Sequence, residues 1–192
     1  MVLCHMNIFY LHNDPVQCAQ QHCDKHVVKM IIEYAQLLST AHRILDGSLV
    51  LGNTKSGRSI KRFVLPDRRD DHLYLASHVN HPDNVWLRES SGNYEFLYKL
   101  FVALCEEYTH RYGKVHATDT KLRSILAAAP TNIPIGPMTE PPQAMPDHCK
   151  RSDVVEAYKN YYITEKKNFA KWKNRSTPKW FADAMENNLA FV

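Results

Sequence analysis

The longest regular pattern of apolar positions in the chain covers residues 13–46. Asn13 or Asp14 can cap the first turn of a helix, and Pro15 is tolerated there because its missing N–H would have no partner. Gly47 is typical of the position just past a helix end. Apolar residues recur between these signals at helical spacing, so the pattern predicts one central helix over 13–46.

A row of polar, mostly ionisable side chains follows this helix between apolar surfaces on both sides. At about 100° per residue the row contains Cys18, His22, His26, Lys29, Glu33, Gln36, Thr40 and Arg43. Buried charge without a partner is costly, so the row is expected to line a cleft or to meet partners from another segment. The alternative is a structural ladder of ion pairs, because Lys29 and Glu33 have the spacing of an i,i+4 pair.

Helical periodicity also occurs in the rest of the chain. It predicts a second long helix over about 85–112, a third over 118–129, a fourth from 154 to about 172, and a short tail helix after Pro178–Phe181. The proline-rich residues 130–147 cannot form regular structure, yet their apolar side chains favour burial, which predicts an extended strap. The predicted fold class is therefore all-α: a single domain over 1–192, with about four to five helices around the central helix.

Residues 47–71 differ in composition from the helical segments and are predicted to form a long basic loop, with a short hairpin around Lys55–Gly57. Long loops inside compact domains are usually functional. Contact with phosphate or nucleic acid is expected from Lys55, Arg58, Lys61 and Arg62. The alternative is a solvated surface loop, because three aspartates between 67 and 71 offset part of the charge.

The composition is that of a soluble globular domain. Of the 192 residues 44% are hydrophobic and 23% charged, and no stretch approaches the ~18 apolar residues of a membrane span, so no membrane partner is expected. Five scattered cysteines without a C-x-x-C pair predict free thiols in a reducing compartment, the cytoplasm, which is the host's if the chain is phage-encoded. The formal net charge of +4 permits a polyanionic partner without requiring one.

Several common catalytic motifs are missing from the sequence. It contains no G-x-x-x-x-G-K-[ST], no G-x-G-x-x-G and no G-x-S-x-G, which excludes the usual phosphate loops and the nucleophile elbow. A metal site is conceivable, because His22 and His26 lie one helical turn apart and Glu33, His78 or His81 could add ligands. The zinc-protease form H-E-x-x-H is absent, since the sequence reads HCDKH.

The pair of Lys29 and Glu33 suggests different chemistry. Partial burial would favour the neutral forms of both groups. A carboxyl group poised in this way can act as general acid or base, and a neutral amine can attack an electrophilic carbon to form a Schiff base. Cleavage of an N-glycosidic bond with opening of the sugar ring uses both functions.

Several stretches resemble known sequences. MNIFYL, CDKHVVKM, QLLSTAHR, HPDNVWLRES, EEYTHRYGK and YYITEKKNFAKWKNR resemble an uncharacterised phage and bacterial family over nearly the whole chain. More remotely, the chain is similar to the phage pyrimidine-dimer DNA glycosylases of the endonuclease V type, which are small all-α proteins. Asp24, His26 and Glu33 stand at the spacing of that family's Asp-x-His and catalytic Glu. The resemblance implies that Glu33 is the catalytic carboxylate and that His26 lies beside the nucleic-acid backbone.

The chain departs from these glycosylases at two places. They attack with the α-amine of a processed N-terminus, whereas the matching NIFYL begins here only at Asn7. The arginines that flank their catalytic Glu are here Ile32 and Gln36. Lys29 is a candidate to replace the amine, and the basic loop a candidate to replace the arginines.

The leading hypothesis is a base-processing enzyme of DNA repair or base modification that cleaves an N-glycosidic bond, like a DNA glycosylase or lyase, without a cofactor. Its expected partner is nucleic acid, most simply DNA, or a nucleotide. The expected catalytic residues are Glu33, Lys29 and His26, and the substrate contacts beyond the basic loop are His22, His78, His81 and Arg43. The alternatives are a metal-dependent enzyme built on His22, His26, Glu33 and His81, and a non-enzymatic binder of nucleic acid or nucleotide.

Overall fold

The computed structural model describes residues 6–53 and 56–189. They form a single, mainly helical domain, which confirms the predicted fold class. The described α-helices are α1 (Pro15–Gln21), α2 (Asp24–Asp46), α3 (Arg69–His72), α4 (Pro82–Glu89), α5 (Ser91–Tyr112), α6 (Ala117–Leu126), α7 (Val154–Tyr161) and α8 (Lys179–Leu189). Strands β1 (Ser48–Asn53) and β2 (Ser59–Val64) form an antiparallel hairpin. A 3-10 turn (Asp147–Cys149) precedes α7, and a π-helical turn (Tyr162–Lys166) follows it.

The central helix predicted over 13–46 is two helices, so the prediction of one helix is wrong. Its start and end are as predicted, with Asp14 capping α1 and Gly47 following α2. Between them His22 has extended backbone angles (φ −63°, ψ 134°), and α2 begins after Cys23. The helical pattern of the side chains continues through this break, which is why periodicity alone does not reveal it.

An ion-pair network from distant segments holds the break in place. The Asp24 carboxylate accepts a hydrogen bond from Arg111 Nη1 at 2.9 Å. Arg111 also donates to Glu107 Oε1 at 2.6 Å and to the carbonyl of Gln20 at 3.0 Å. Glu107 in turn pairs with Arg175 at 2.9 Å. Tertiary contacts of this kind override local helix propensity, and they tie α1, α2, α5 and the C-terminal segment together.

The second predicted helix, over about 85–112, is also divided, into α4 and α5. Ser90 has an extended backbone (φ −154°), its Oγ accepts from Asn93 N at 3.1 Å, and its hydroxyl donates to Pro137 O at 2.8 Å. Gly113 ends α5 with φ 67°, in the left-handed region that favours glycine. The two divisions and the short α3 explain why the described chain has more helices than predicted.

The core lies where α2 packs against α5, with α4 and α6 on α2 and α1 on α5. Its fully buried side chains include Leu37, Leu38, Leu97, Leu100 and Leu104, and Trp86 is buried as expected of a large aromatic on a helical stripe. The described cysteines, Cys18, Cys23, Cys105 and Cys149, are free thiols. Among the described helices, none is long and apolar enough to cross a membrane.

The proline-rich segment 130–147 has no regular structure apart from the 3-10 turn at its end, and it runs along the start of α5. Backbone hydrogen bonds from Ser91 N to Pro134 O at 2.8 Å and from Gly92 N to Gly136 O at 3.1 Å attach it. Gly92 is required there because a Cβ atom would lie 2.3 Å from Met138 N.

Gly92→Ala is therefore expected to lower the free energy of unfolding by about 1–3 kcal/mol, because the overlap with the strap backbone outweighs the better helix propensity of alanine. Urea unfolding measures this loss. Gly136→Ala is the matched control, since a Cβ there meets its nearest atom at 3.4 Å, an ordinary contact. Equal stability of Gly92→Ala and the wild type would contradict the described attachment.

Candidate active site

Glu33 lies on the inner face of α2 with a carboxylate that is only half engaged. The residue is 7% exposed. The Oε1 atom of Glu33 forms an ion pair with Lys29 Nζ at 2.8 Å. The Lys29 side chain is 53% exposed. The Oε2 atom of Glu33 is buried and makes no hydrogen bond to any described residue. One carboxylate oxygen of Glu33 is therefore paired with a cation that reaches solvent. The other is buried and can still accept a hydrogen bond.

A second carboxyl group, Asp83 at the start of α4, lies close enough to Glu33 for the charge of Glu33 to act on it. It is fully buried, and its Oδ2 accepts a hydrogen bond from Ile8 N at 3.0 Å, whereas its Oδ1 has no partner among the described residues. Burial, together with the negative charge of Glu33, raises the pKa of Asp83 to about 7. Asp83 is therefore largely protonated on the acid side of neutrality.

The two carboxyl groups have different surroundings. Glu33 is paired with the ammonium of Lys29, whereas desolvation favours neutral Asp83. Such a difference between neighbouring groups is typical of an acid and a base that act together. Further buried acceptors without a described partner are Asn7 Oδ1 and Asn84 Oδ1, on the residues before Ile8 and after Asp83. A group that enters this region is best accommodated if it brings N–H or O–H donors or a positive charge.

A recess at the surface lies beside the start of α4, where His81 and Pro82 line it. It has a volume of about 390 Å³ and is lined by His81, Gln143, Met145, Lys150 and Tyr161, among others. His81 also connects the recess with Asp83, because its Nδ1 lies 3.8 Å from Asp83 Oδ2. A cationic side chain, a histidine and an aromatic ring thus line an opening beside the segment that carries the buried acid.

His22 was expected to contact substrate, and the structure places it in the interior. Its Nδ1 lies 2.8 Å from the carbonyl of Cys18, and its Nε2 lies 3.0 Å from the hydroxyl of Tyr34, which itself accepts from Phe9 N. Burial lowers the pKa of His22 to about 4, so the ring is neutral at physiological pH. A neutral, fully bonded imidazole provides no cation for a phosphate.

His26 was expected to lie beside the nucleic-acid backbone, but its side chain is buried in the domain. Its ring stacks on Phe9 with 4.1 Å between centroids, and its Nδ1 lies 2.5 Å from the Tyr162 hydroxyl. Burial lowers the pKa of His26 well below its ordinary value. These contacts give His26 a structural role. Phe9, on which His26 stacks, also stacks on Tyr161, a residue that lines the recess.

Arg43 was expected to bind phosphate, but its guanidinium is fully used by the protein. It is 1% exposed. It donates to the carbonyls of Phe63, Asp70, Leu73 and Tyr74 and to the carboxylate of Asp70, at 2.5 to 2.9 Å. These five bonds account for all five guanidinium N–H groups, so Arg43 holds the hairpin and α3 onto α2.

The remaining expected contacts fall into two groups. His78 is exposed, with φ 49°, and its carbonyl accepts from Asn84 Nδ2 at 3.0 Å, so the turn at 78–81 fixes the start of α4 and thereby Asp83. Arg58, Lys61 and Arg62 are exposed on the hairpin, which follows the far end of α2, about 20 Å along the helix from Glu33. Lys55 lies outside the described residues. Of the expected contacts, His81 is the one the structure brings to the carboxyl pair.

A metal centre on His22, His26, Glu33 and His81 is not assembled among the described residues. The group of potential ligands that does come together there is His148, Cys149 and Glu165, whose ligand atoms lie within 4.8 Å of one another. It lies beside α7, and the His148 Nε2 to Glu165 Oε1 contact of 2.9 Å already joins two of its members.

Asp83 and Asn7 are the site residues that sequence reasoning missed. Neither residue is among the catalytic or binding residues that the sequence predicts. The contact that unites them with the site, from Ile8 N to Asp83, spans 75 residues. The one available signal was the sequence HPDN, in which the acidic Asp83 follows His78 and His81 closely.

Comparison with protein-family models, curated proteins and solved structures finds no match to this chain. The similarity to phage pyrimidine-dimer glycosylases therefore stays a prediction, and the geometry of the site is the basis for a functional proposal.

Proposed function

We propose that this protein is a nucleic-acid base-processing enzyme that hydrolyses an N-glycosidic bond. The observation that carries the proposal is the buried pair of Glu33 and Asp83, each with one carboxyl oxygen that no described residue engages. Most glycoside hydrolases use two carboxyl groups in opposite protonation states, one as acid and one as base or nucleophile, and hydrolysis of an N-glycosidic bond can be served by the same two functions. The fit between that requirement and the pair supports the assignment.

Each group has a role that follows from its surroundings. The protonated form of Asp83, which its raised pKa of about 7 keeps populated up to neutrality, donates its proton to the departing base nitrogen as the bond between C1′ and nitrogen breaks. The Glu33 carboxylate, which is paired with Lys29, accepts a proton from a water molecule whose oxygen forms the new bond to C1′. The transition state resembles an oxocarbenium ion, and the unpaired carboxyl oxygens of Glu33 and Asp83 favour positive charge beside them.

Lys29 is better suited to hold Glu33 ionised than to attack the sugar. A Schiff base requires a neutral amine, which burial in apolar surroundings can provide. Lys29 is instead half-exposed, and its ammonium is paired with the Glu33 carboxylate. The proposal therefore assigns hydrolysis, with water as the nucleophile, and Lys29 acts through Glu33.

The proposal is tested by screening DNA substrates for base release. Duplex and single-stranded oligonucleotides that carry damaged or modified bases are incubated with the protein, and free bases are detected by mass spectrometry. The wild type is expected to release one class of base, and Glu33→Gln is expected to release none within the same time. Glu95→Gln is the matched control, because Glu95 also pairs with a lysine four residues away but is 65% exposed.

Sodium borohydride separates hydrolysis from lyase chemistry in the same reactions. The proposal predicts no covalent adduct between protein and DNA. An adduct that disappears in Lys29→Gln would assign the nucleophile to Lys29 instead of water. Base release that survives Glu33→Gln, or the absence of release from every substrate, would contradict the proposed reaction.

A further inference from the structure

The hairpin of β1 and β2 holds the excess positive charge of the chain. Residues 47–66 contain Lys55, Arg58, Lys61 and Arg62 and no acidic residue, while the other twenty basic residues of the chain are matched by twenty acidic ones. The net charge of +4 thus equals the charge of this one segment. A projecting segment with only positive charge favours a polyanionic partner.

The same hairpin exposes large apolar side chains that a solvated loop would not require. Leu49, Val50 and Leu51 are 52%, 46% and 71% exposed. Exposed apolar side chains next to cations are typical of protein segments that enter a nucleic-acid groove, where they contact methyl groups and sugars or wedge between bases.

The strand register places one cation on each face of the ribbon. Directly paired residues of an antiparallel ladder lie on the same face. Lys61 pairs with Leu51 and shares its face with Leu49, whereas Arg62 pairs with Val50 on the opposite face. A ribbon with a cation and an apolar side chain on each face can meet the phosphates on both sides of a groove.

The base of the hairpin is fixed to the domain. Arg43 Nη1 donates to Phe63 O at 2.9 Å, and Gly47 allows close approach, because a Cβ there would lie 2.4 Å from Arg43 O and 3.1 Å from Val64 O. The ribbon therefore projects from a rigid attachment, so its orientation relative to α2 and Glu33 is defined.

We propose that the hairpin is an arm that enters the major groove of double-stranded DNA. The major groove of B-form DNA admits a two-stranded ribbon, whereas that of an RNA duplex is too deep and narrow for side chains to read. A single strand would offer phosphates to one face of the ribbon only. The inference rests on the proposed function for the identity of the substrate, and it specifies that substrate as a duplex.

Binding is measured by fluorescence anisotropy with an unmodified DNA duplex of two helical turns over a series of salt concentrations. The double substitution Lys61→Gln with Arg62→Gln is expected to weaken binding roughly 10-fold or more at low salt and to reduce the slope of log K against log salt by about 2, close to 0.9 per lost phosphate contact. Lys179→Gln removes a cation that is 88% exposed outside the hairpin and is expected to change neither quantity.

The apolar part of the arm has its own test. Leu51→Ser is expected to weaken duplex binding without changing the salt slope, because it removes no charge. Ile135→Ser, at a strap position that is 97% exposed, is the matched control and is expected to bind as the wild type does.

Three outcomes would overturn the proposal: unchanged binding in the double variant, tighter binding of a single strand than of the duplex, or concentration-dependent self-association that Leu51→Ser abolishes. The last result would make a second copy of the chain the occupant of the exposed strand edges. Glu33→Gln separates this proposal from the proposed reaction, because it is expected to bind the duplex normally. Hairpin-dependent binding without base release would contradict only the reaction.

Discussion

Asp83→Asn is expected to raise the free energy of unfolding above pH 7, by up to about 4 kcal/mol. Folding raises the pKa of Asp83 from 3.8 to about 7, and each unit corresponds to about 1.4 kcal/mol. A carboxyl group with a raised pKa destabilises the folded state progressively as pH rises from about 4 to 7, since the unfolded chain ionises first. Asparagine does not titrate, and its side-chain oxygen can still accept from Ile8 N. The stabilisation should therefore be small near pH 4 and largest above pH 7.

Urea unfolding of the wild type and Asp83→Asn at a series of pH values measures this difference. Asp71→Asn is the control, because Asp71 is exposed and its substitution should change the free energy of unfolding little. Stabilisation that accompanies loss of activity would mark Asp83 as a residue retained for function at a cost in stability. A pH-independent difference between wild type and Asp83→Asn would show that Asp83 is ionised in the folded protein, which would contradict its role as the acid.

Arg111→Met is expected to lower the free energy of unfolding by about 3–5 kcal/mol. Arg111 is completely buried and pairs with both Asp24 and Glu107. Removal of Arg111 leaves the buried Glu107 with Arg175 alone and takes away the ion pair of Asp24, and methionine fills much of the same space without a hydrogen bond. The loss falls at the break between α1 and α2, so this region should also lose protection from amide hydrogen exchange.

Lys99→Met is the matched control for this substitution. Lys99 also pairs with an acid four residues away, Glu95, but the two side chains are 59% and 65% exposed. Exposed pairs contribute about 0–1 kcal/mol, so the control should lose little stability. Similar losses in both variants would mean that the buried network does not stabilise the junction more than a surface pair does.

The parts of the fold that depend on residues adjacent in the sequence were predictable. Asp14 and Asp153 cap helices as their types suggest, and Gly47 and Gly113 follow helix ends. The breaks at 22–23 and at Ser90 were not predictable in the same way. They depend on contacts with residues far along the chain, such as Arg111 and Pro137.

The candidate site was predictable to a similar extent. Helical periodicity places Glu33 and Lys29 on one stripe, and the structure joins them. The stripe alone does not show what faces each side chain, so His22 and Arg43 were assigned to substrate although buried protein groups engage them. Asp83 was missed because its burial and its proximity to Glu33 arise only from tertiary packing.

The central claim is that Glu33 and Asp83 act as one catalytic unit. It is tested most directly by single-turnover rates of base release, on the substrate identified by the screen, for Glu33→Gln, Asp83→Asn and the double variant. Each single substitution is expected to lower the rate by about 10²–10⁴-fold, the usual contribution of a general acid or base. The double variant should be no slower than the slower single variant, because residues that act as a unit are not additive. A near-wild-type rate in either single variant, or losses that multiply in the double variant, would contradict the account.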